Sequence, residues 1–172
     1  FPPIANLNPD QAAYLFISGY TSKVAGTEAG VTEPQTTFST CFGAPFMPLH
    51  PTKYAEMLSE KVEKTGVNVW LINTGWNGQK KRMSLKDTRA VINAALNGDL
   101  NNVEFRKDPF FGFEVPVAIE GVETDKLNPA TSFASQEAYE ENANVLAAKF
   151  KENFKKFEEF ATADLLAGGP TI

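Results

Sequence analysis

A segment rich in glycine and cationic side chains is the part of the sequence best suited to bind a ligand. Residues 73–82 are Asn-Thr-Gly-Trp-Asn-Gly-Gln-Lys-Lys-Arg, after an apolar run and just before a helix that begins at Ser84. Glycines let a backbone approach a ligand closely, and free N–H groups at a helix N-terminus attract anions. The P-loop pattern Gly-x-x-x-x-Gly-Lys-Ser/Thr occurs nowhere in the sequence. The segment is therefore either an anion-binding loop or an exposed turn with solvated lysines.

Thr88 is a second candidate for a ligand contact. It lies one turn into the helix that begins at Ser84, in line with Leu85 and Ile92, so the pattern predicts that its hydroxyl points inward near Arg82. A threonine in a helix commonly donates to a carbonyl of the preceding turn. Position alone leaves both roles open: a bond within the helix or a bond to a ligand.

Other residues with suitable chemistry carry weaker patterns. Residues 27–34 combine small residues with Glu28 and Glu33, so they could form a lid that offers metal ligands or proton-transfer groups, or a plain surface loop. Cys41 and His50 are nine residues apart, but Cys41 lies in an apolar stretch typical of a buried thiol. We therefore interpret Cys41 as structural and reject a thiol–imidazole pair.

Composition limits the functional classes. The 172 residues carry a net charge of −5, with 42% hydrophobic and 22% charged residues, as in an ordinary globular protein. The acidic balance disfavours nucleic acid or an anionic membrane as the main partner, and no apolar run approaches the roughly 18 residues of a membrane span. One Cys and one His exclude an internal disulfide and a zinc site built from Cys and His clusters. We expect a cytoplasmic location, and the beginning at Phe1 suggests a fragment or a processed product.

Capping residues predict the helices that position these side chains. The first begins at the Asn8–Gln11 capping box and is expected to run to Gly26. Two more helices are expected between Pro51 and Gly66 and between Ser84 and Gly98. The inner face of the third is expected to contain Leu85, Thr88, Ile92 and Leu96.

The remaining pattern predicts a small sheet covered by helices. Residues 67–72 form an apolar run of the length of a buried strand, and residues 103–119 suit short edge strands. Ser135 caps a long last helix whose aromatic stripe we interpret as a core face. The expected fold class is α/β (mixed α+β), with helices packed on a small mixed sheet.

Several motifs together resemble those of the ATP-dependent phosphoenolpyruvate carboxykinases. They follow one another in the order and spacing of that family and lie at residues 20–28, 32–34, 38–43, 49–51, 73–76 and 86–89. The ending Leu-Ala-Gly-Gly-Pro at residues 166–170 is also similar to the family's C-terminus. The resemblance covers essentially the whole chain, which corresponds to the last third of the family's protein.

This resemblance implies an enzyme that converts oxaloacetate and ATP to phosphoenolpyruvate, ADP and CO2 in gluconeogenesis, assisted by a divalent metal (Mg or Mn). Residues 1–172 would be the C-terminal part of its mononucleotide-binding domain, with a lid at about residues 21–38. The family's P-loop, metal ligands and oxaloacetate-binding arginines precede this segment. We therefore expect no catalytic residue and no metal ligand in the segment, and no activity from it alone.

Within the segment, the resemblance implies that Arg82, the backbone of Met83, and Thr88 contact ATP, mainly around its nucleoside end. Many relatives have Thr-Gly-Lys-Arg where this chain has Gln-Lys-Lys-Arg at residues 79–82, and many have Arg at the position of Ala29. Expected partners are ATP/ADP, oxaloacetate/phosphoenolpyruvate and the rest of the same polypeptide, with no nucleic acid and no membrane. Two alternatives stay open: a non-catalytic nucleotide- or anion-binding module that uses residues 75–82, or a structural interaction fragment.

Overall fold

The computed structural model describes residues 1–23, 30, 32 and 35–172, which contain six α-helices and six β-strands. The strands are β1 (Ile4–Leu7), β2 (Tyr20–Lys23), β3 (Gln35–Phe38), β4 (Val69–Ile72), β5 (Phe105–Lys107) and β6 (Glu114–Pro116). The helices are α1 (Pro9–Ser18), α2 (Pro51–Thr65), α3 (Leu85–Asn97), α4 (Thr124–Leu127), α5 (Gln136–Phe154) and α6 (Ala163–Ala167). The mixed α/β class is confirmed, but the sheets that the structure describes are antiparallel rather than mixed.

The chain forms two compact units. Unit 1 comprises residues 1–7, 68–148 and 171–172, and unit 2 comprises residues 8–67 and 149–170. Among the described residues, no helix is both long and apolar enough to span a membrane.

Unit 1 contains a four-stranded sheet in the order β4-β1-β6-β5, and every neighbouring pair is antiparallel. Strand β1 pairs with β4 along its whole length, with Ile4 opposite Ile72 and Leu7 opposite Val69. The apolar run at residues 67–72 does form a strand, but β4 is a half-buried edge strand of this sheet rather than a fully buried one. The short strands expected within residues 103–119 are β5 and β6.

Helix α3 packs on the core of unit 1 through a different face from the one that the sequence suggested. Val91 and Ala94 are buried in a cluster with Ile4, Leu100 and Leu127. The predicted inner face is wrong, because its end members Leu85 and Leu96 are 74% and 80% exposed. Leu85, Ile92 and Leu96 recur at helical spacing, and so do Val91 and Ala94. Periodicity alone could therefore not decide which of these two rows faces the core.

Unit 2 is built on α1, whose start the sequence predicted and whose end it did not. Asn8 and Gln11 form the expected capping box, with the Gln11 N–H donating to Asn8 Oδ1 at 2.8 Å. The helix ends at Ser18 rather than Gly26, because Gly19 adopts a left-handed conformation (φ 59°) and the chain continues as β2. Strand β2 pairs with β3 and places Tyr20 opposite Phe38.

Half of the expected lid at residues 21–38 lies outside the described residues, namely residues 24–29, 31, 33 and 34. The structure describes its flanking strands, β2 and β3, which form a two-stranded antiparallel ribbon. Glu28, Ala29 and Glu33 lie outside the described residues. The assignment of this segment as a lid therefore stays a prediction.

The aromatic stripe of α5 and the cysteine have the structural roles that the sequence indicated. Tyr139 is 9% exposed in unit 1, and Phe150 and Phe154 are at most 2% exposed in unit 2, where the Phe154 ring stacks on Tyr14 at 4.1 Å. Cys41 is a buried free thiol, and desolvation raises its pKa above the ordinary value. A thiol with a raised pKa is a poor nucleophile, in agreement with a structural role.

Candidate nucleotide site

Residues 76–82 form a short turn, here called the 76–82 hairpin, closed by antiparallel pairing of Trp76 with Arg82. The Asn77 N–H donates to the Lys81 carbonyl at 2.9 Å. The Asn77 side-chain oxygen accepts from the backbone N–H groups of Gln79 and Lys81, at 3.0 Å each. Asparagine favours such turns because its side chain can bond the backbone just ahead of it.

The two glycines of this region pack against protein rather than leaving space for a ligand. The Gly78 N–H donates to Ser132 Oγ at 2.9 Å, and a Cβ at Gly78 would lie 2.5 Å from the Phe133 ring. The Gly75 N–H donates to Asn73 Oδ1 at 3.0 Å, and its carbonyl accepts from the Met83 N–H at 3.0 Å. These contacts fix the position of the hairpin within unit 1.

The backbone of this segment does not form a phosphate cradle. The N–H groups of residues 75, 77–81 and 83 all donate to acceptors within the chain. A phosphate-binding nest needs N–H groups that converge on empty space. The N-terminus of α3 also carries the nearly buried carboxylate of Asp87, which disfavours an anion there. The N–H groups of residues 77–81 are therefore not available to a ligand, and the hairpin offers mainly its side chains.

Two contacts near its guanidinium group restrain the side chain of Arg82. Its Nε donates to the Thr74 carbonyl at 3.2 Å, and its Cζ lies 5.4 Å from the centroid of the Trp76 ring. Arg82 is exposed, and its two terminal nitrogens have no hydrogen-bond partner among the residues that the structure describes. Those nitrogens can donate to a ligand.

Met83 follows with its side chain packed against the core cluster of unit 1, so it fixes the start of α3. Because its N–H already donates to Gly75, a backbone contact with a ligand would use the carbonyl oxygen. That oxygen accepts no hydrogen bond within the described part of the chain. Met83 therefore offers a hydrogen-bond acceptor, which requires a donor on the ligand.

Thr88 lies in the first turns of α3 and is half-buried. Its N–H donates to the Ser84 carbonyl at 2.9 Å, but its hydroxyl makes no hydrogen bond with any residue in the described ranges. The bond back to its own helix, one of the two roles left open by the sequence, is therefore not formed here. Its neighbours Leu85 and Ile92 are exposed, so Thr88 lies at the edge of the accessible side of α3.

Asp87 and Lys126 stabilise the start of α3, and the sequence indicated only part of this arrangement. Ser84 Oγ accepts from the Asp87 N–H at 3.0 Å and donates to Asp87 Oδ2 at 2.7 Å. Lys126 Nζ donates to the same carboxylate oxygen at 3.1 Å. The bond from Ser84, with a further contribution from Lys126, lowers the pKa of Asp87. The spacing of Ser84 and Asp87 indicated the cap, whereas no local pattern could indicate a partner 39 residues away.

Metal binding finds no support in the residues that the structure describes. No group of three His, Cys, Asp or Glu side chains in residues 1–23, 30, 32 and 35–172 is arranged to hold a metal ion. Three or more such ligands are typical of zinc and calcium sites that the protein builds alone, whereas Mg²⁺ is often held by one or two carboxylates with waters and substrate phosphates. We therefore assign no metal ligand among the described residues.

Comparison with known proteins now identifies the family. The family model for phosphoenolpyruvate carboxykinase matches residues 1–125. The chain belongs to the phosphoenolpyruvate carboxykinase family. It is 60% identical to the phosphoenolpyruvate carboxykinase (ATP) of Flavobacterium johnsoniae, over 98% of this chain and 32% of that protein. The corresponding enzyme of Christiangramia forsetii is 56% identical over the same shares. The resemblance that the motifs indicated is confirmed.

The chain spans about a third of the length of these carboxykinases, which are named as ATP enzymes. Novosphingobium aromaticivorans provides a third relative, 54% identical over 98% of this chain and 33% of that protein. Neither the matches nor the geometry assigns a role to an individual residue, so the ATP contacts at Arg82, Met83 and Thr88 stay predictions.

The conformation of Lys80 suits the glycine that the family resemblance implies at this position. Lys80 has a φ of 57°, in the left-handed region that glycine adopts without strain. We expect Lys80→Gly to raise the free energy of unfolding by about 1 kcal/mol, because it removes this strain. Urea unfolding followed by circular dichroism would measure the change. Lys81→Gly removes the same charge where φ is not positive, so it should lower stability instead; equal effects of the two variants would contradict this explanation.

Proposed function

We propose that this chain supplies the nucleoside side of the ATP site in a phosphoenolpyruvate carboxykinase that converts oxaloacetate and ATP to phosphoenolpyruvate, ADP and CO2. One observation supports this most strongly: within seven residues of sequence, three polar groups have no hydrogen-bond partner among the residues that the structure describes. They are the terminal nitrogens of Arg82, the carbonyl oxygen of Met83 and the hydroxyl of Thr88. Relatives that are 54% to 60% identical to this chain, over about a third of their own length, are named as ATP enzymes.

The three groups differ in chemistry, and together they suit a nucleoside. The Met83 carbonyl can accept only from a donor such as the exocyclic amino group of adenine. The Thr88 hydroxyl can both donate and accept, so it suits a ring nitrogen or a ribose hydroxyl. The planar guanidinium of Arg82 can donate to sugar or phosphate oxygens or lie against the base.

The contribution of these residues is binding and orientation. Holding ATP in a fixed position lowers the entropic cost of phosphoryl transfer to the enolate oxygen that decarboxylation of oxaloacetate creates. We assign to the described residues binding of the nucleotide and no step of the transfer itself. The Mg or Mn ion that the family implies would be bound by residues outside this chain.

The exposed stripe on α3 supports a further part of the proposal, that the rest of the polypeptide is a partner of this segment. Leu85 and Leu96 are 74% and 80% exposed, and Ile92 between them is 37% exposed. Such a row of large apolar side chains commonly marks an interaction surface. The remaining two thirds of a full-length carboxykinase would supply the covering chain.

Thr88→Val in the full-length carboxykinase tests the nucleotide site. Valine keeps the shape and removes the hydroxyl, so the KM for ATP should rise about threefold to tenfold, as expected for one neutral hydrogen bond. The KM for oxaloacetate and kcat should change less than about twofold. Steady-state kinetics with each substrate varied in turn would measure these values.

Thr88→Ser is the matched control, because it keeps the hydroxyl and loses only a methyl group. Its KM for ATP should remain near that of the parent enzyme. An unchanged KM for ATP in Thr88→Val would remove Thr88 from the site.

A further inference from the structure

We infer that Trp76 is a positioning residue for nucleotide binding, acting by holding the guanidinium group of Arg82 against its ring. The inference rests on the proposed function, because it assumes that Arg82 contacts ATP. It assigns to Trp76 an effect on the affinity for ATP that is transmitted only through Arg82.

The geometry leaves one part of Arg82 free and restrains the rest. The Cζ atom lies 5.4 Å from the centroid of the Trp76 ring, within the roughly 6 Å range of a cation–π contact. On the backbone side, Nε donates to the Thr74 carbonyl at 3.2 Å. An arginine side chain has several rotatable bonds, so two restraints near its end greatly reduce the entropy that binding would otherwise cost.

The backbone that brings the two side chains together does not depend on the Trp76 ring. Trp76 and Arg82 are cross-strand partners, and the hairpin between them is closed by the bonds of Asn77. Gly78 fixes its tip through Ser132. Neighbouring side chains in such a pair interact directly. Removing the ring should therefore release the guanidinium group while leaving the hairpin in place.

Comparison with Trp70, a residue packed against the core, distinguishes the positioning role of Trp76 from ordinary packing. Trp70 packs against the core cluster of unit 1, and its ring stacks on Phe105 at 6.3 Å. Trp76 is 37% exposed and does not belong to that cluster. The Trp76 ring is thus only partly buried, and the cation over its face gives it a specific partner.

A double-mutant cycle in the full-length carboxykinase tests the inference, with Trp76→Leu, Arg82→Ala and the double variant. Arg82→Ala should raise the KM for ATP about tenfold, as expected for a charged hydrogen bond. Trp76→Leu should raise it about threefold, with kcat and the KM for oxaloacetate unchanged. In the Arg82→Ala background, Trp76→Leu should have no further effect on the KM for ATP, because the group that it positions is gone.

Two further variants separate positioning from folding. Trp76→Tyr keeps an aromatic face and should restore most of the affinity for ATP. Trp70→Leu removes a packed ring and should lower the melting temperature, but its effect on the KM for ATP should not depend on Arg82.

The outcomes distinguish this inference from the proposed function. An equal effect of Trp76→Leu with and without Arg82, or no effect of Trp76→Leu beside a strong effect of Arg82→Ala, would overturn the role of Trp76 alone. No effect of Arg82→Ala would overturn the Arg82 contact of the proposed function and the positioning role with it.

Discussion

Gly168→Ala is expected to lower the free energy of unfolding by about 3 kcal/mol, through a clash inside unit 2. A Cβ built on Gly168 would lie 2.2 Å from the Asp10 carbonyl oxygen and 2.8 Å from the Gln11 nitrogen. These are backbone atoms in the first turn of α1, so no side-chain rotation can relieve the contact. The φ of Gly168 is −71°, which alanine adopts freely, so steric overlap is the whole cause.

Urea unfolding followed by circular dichroism would measure this loss, and Gly43→Ala is the matched control. Gly43 also lies in unit 2, with an extended φ of −167° and no atom closer than 4.0 Å to its built Cβ. Its substitution should change stability by less than about 0.5 kcal/mol. If the two variants were equally stable, close packing of Gly168 on α1 would be refuted.

The same contacts give a physical reason for the glycine pair near the end of the chain. A Cβ at Gly169 would lie 2.8 Å from the ring of Tyr14, which is only 3% exposed and stacks on Phe154. Both glycines therefore allow the chain to pass close to α1. The motif at residues 166–170 indicated the family, but its sequence alone could not show what the glycines pack against.

Helix ends could be predicted from the sequence where a local contact determines them. Asn8, Ser84 and Gly98 act as the caps that their types and spacing predicted, since a cap depends on residues only a few positions apart. The end of α1 was misplaced because Gly19 and Gly26 are equally plausible stops, and the pairing of β2 with β3 is a longer-range effect. Contacts between neighbouring residues thus explain the helix ends that were predicted correctly. The pairing of β2 with β3 explains why the end of α1 was not.

In the candidate site, too, local features could be predicted from the sequence and long-range contacts could not. The composition of residues 73–82 indicated a binding loop, yet the acceptors that occupy its N–H groups include Ser132, 54 residues from Gly78. The cation over the Trp76 ring depends on the register of the hairpin, which no spacing rule gives. Position left the role of Thr88 open, and the assignment of Arg82, Met83 and Thr88 to ATP came from the family resemblance, because an unpaired hydroxyl or carbonyl leaves no mark on a sequence.

Asp87→Asn is expected to destabilise the start of α3 by about 2 kcal/mol, because it weakens two hydrogen bonds to a nearly buried carboxylate. Asp87 Oδ2 accepts from Ser84 Oγ at 2.7 Å and from Lys126 Nζ at 3.1 Å. An amide can still accept from the hydroxyl, but it cannot attract the ammonium group. The position matters for function because Met83 and Thr88, on either side of this cap, are proposed to contact the nucleotide.

The pH dependence of unfolding provides an independent readout. The pKa of Asp87 is lowered in the folded chain, chiefly by the bond from Ser84. The folded state thus binds the proton less tightly than the unfolded state, whose aspartate pKa is about 3.9. The carboxylate stabilises the fold above that pH, and this contribution is lost as the pH falls through the folded pKa. Urea unfolding at pH 7 and at about pH 3 should therefore show a large difference between parent and Asp87→Asn at neutral pH and a smaller one in acid.

Asp99→Asn is the control, because Asp99 is an exposed carboxylate just after α3 in the same unit. It should change stability by less than about 0.5 kcal/mol at neutral pH. If Asp87→Asn lost as much stability at pH 3 as at pH 7, the loss of stability would come from the changed shape of the side chain rather than from the loss of its negative charge. The ion pair with Lys126 would then contribute nothing to the position of Thr88, and the hydrogen bond from Ser84 would be enough to hold the first turn of α3.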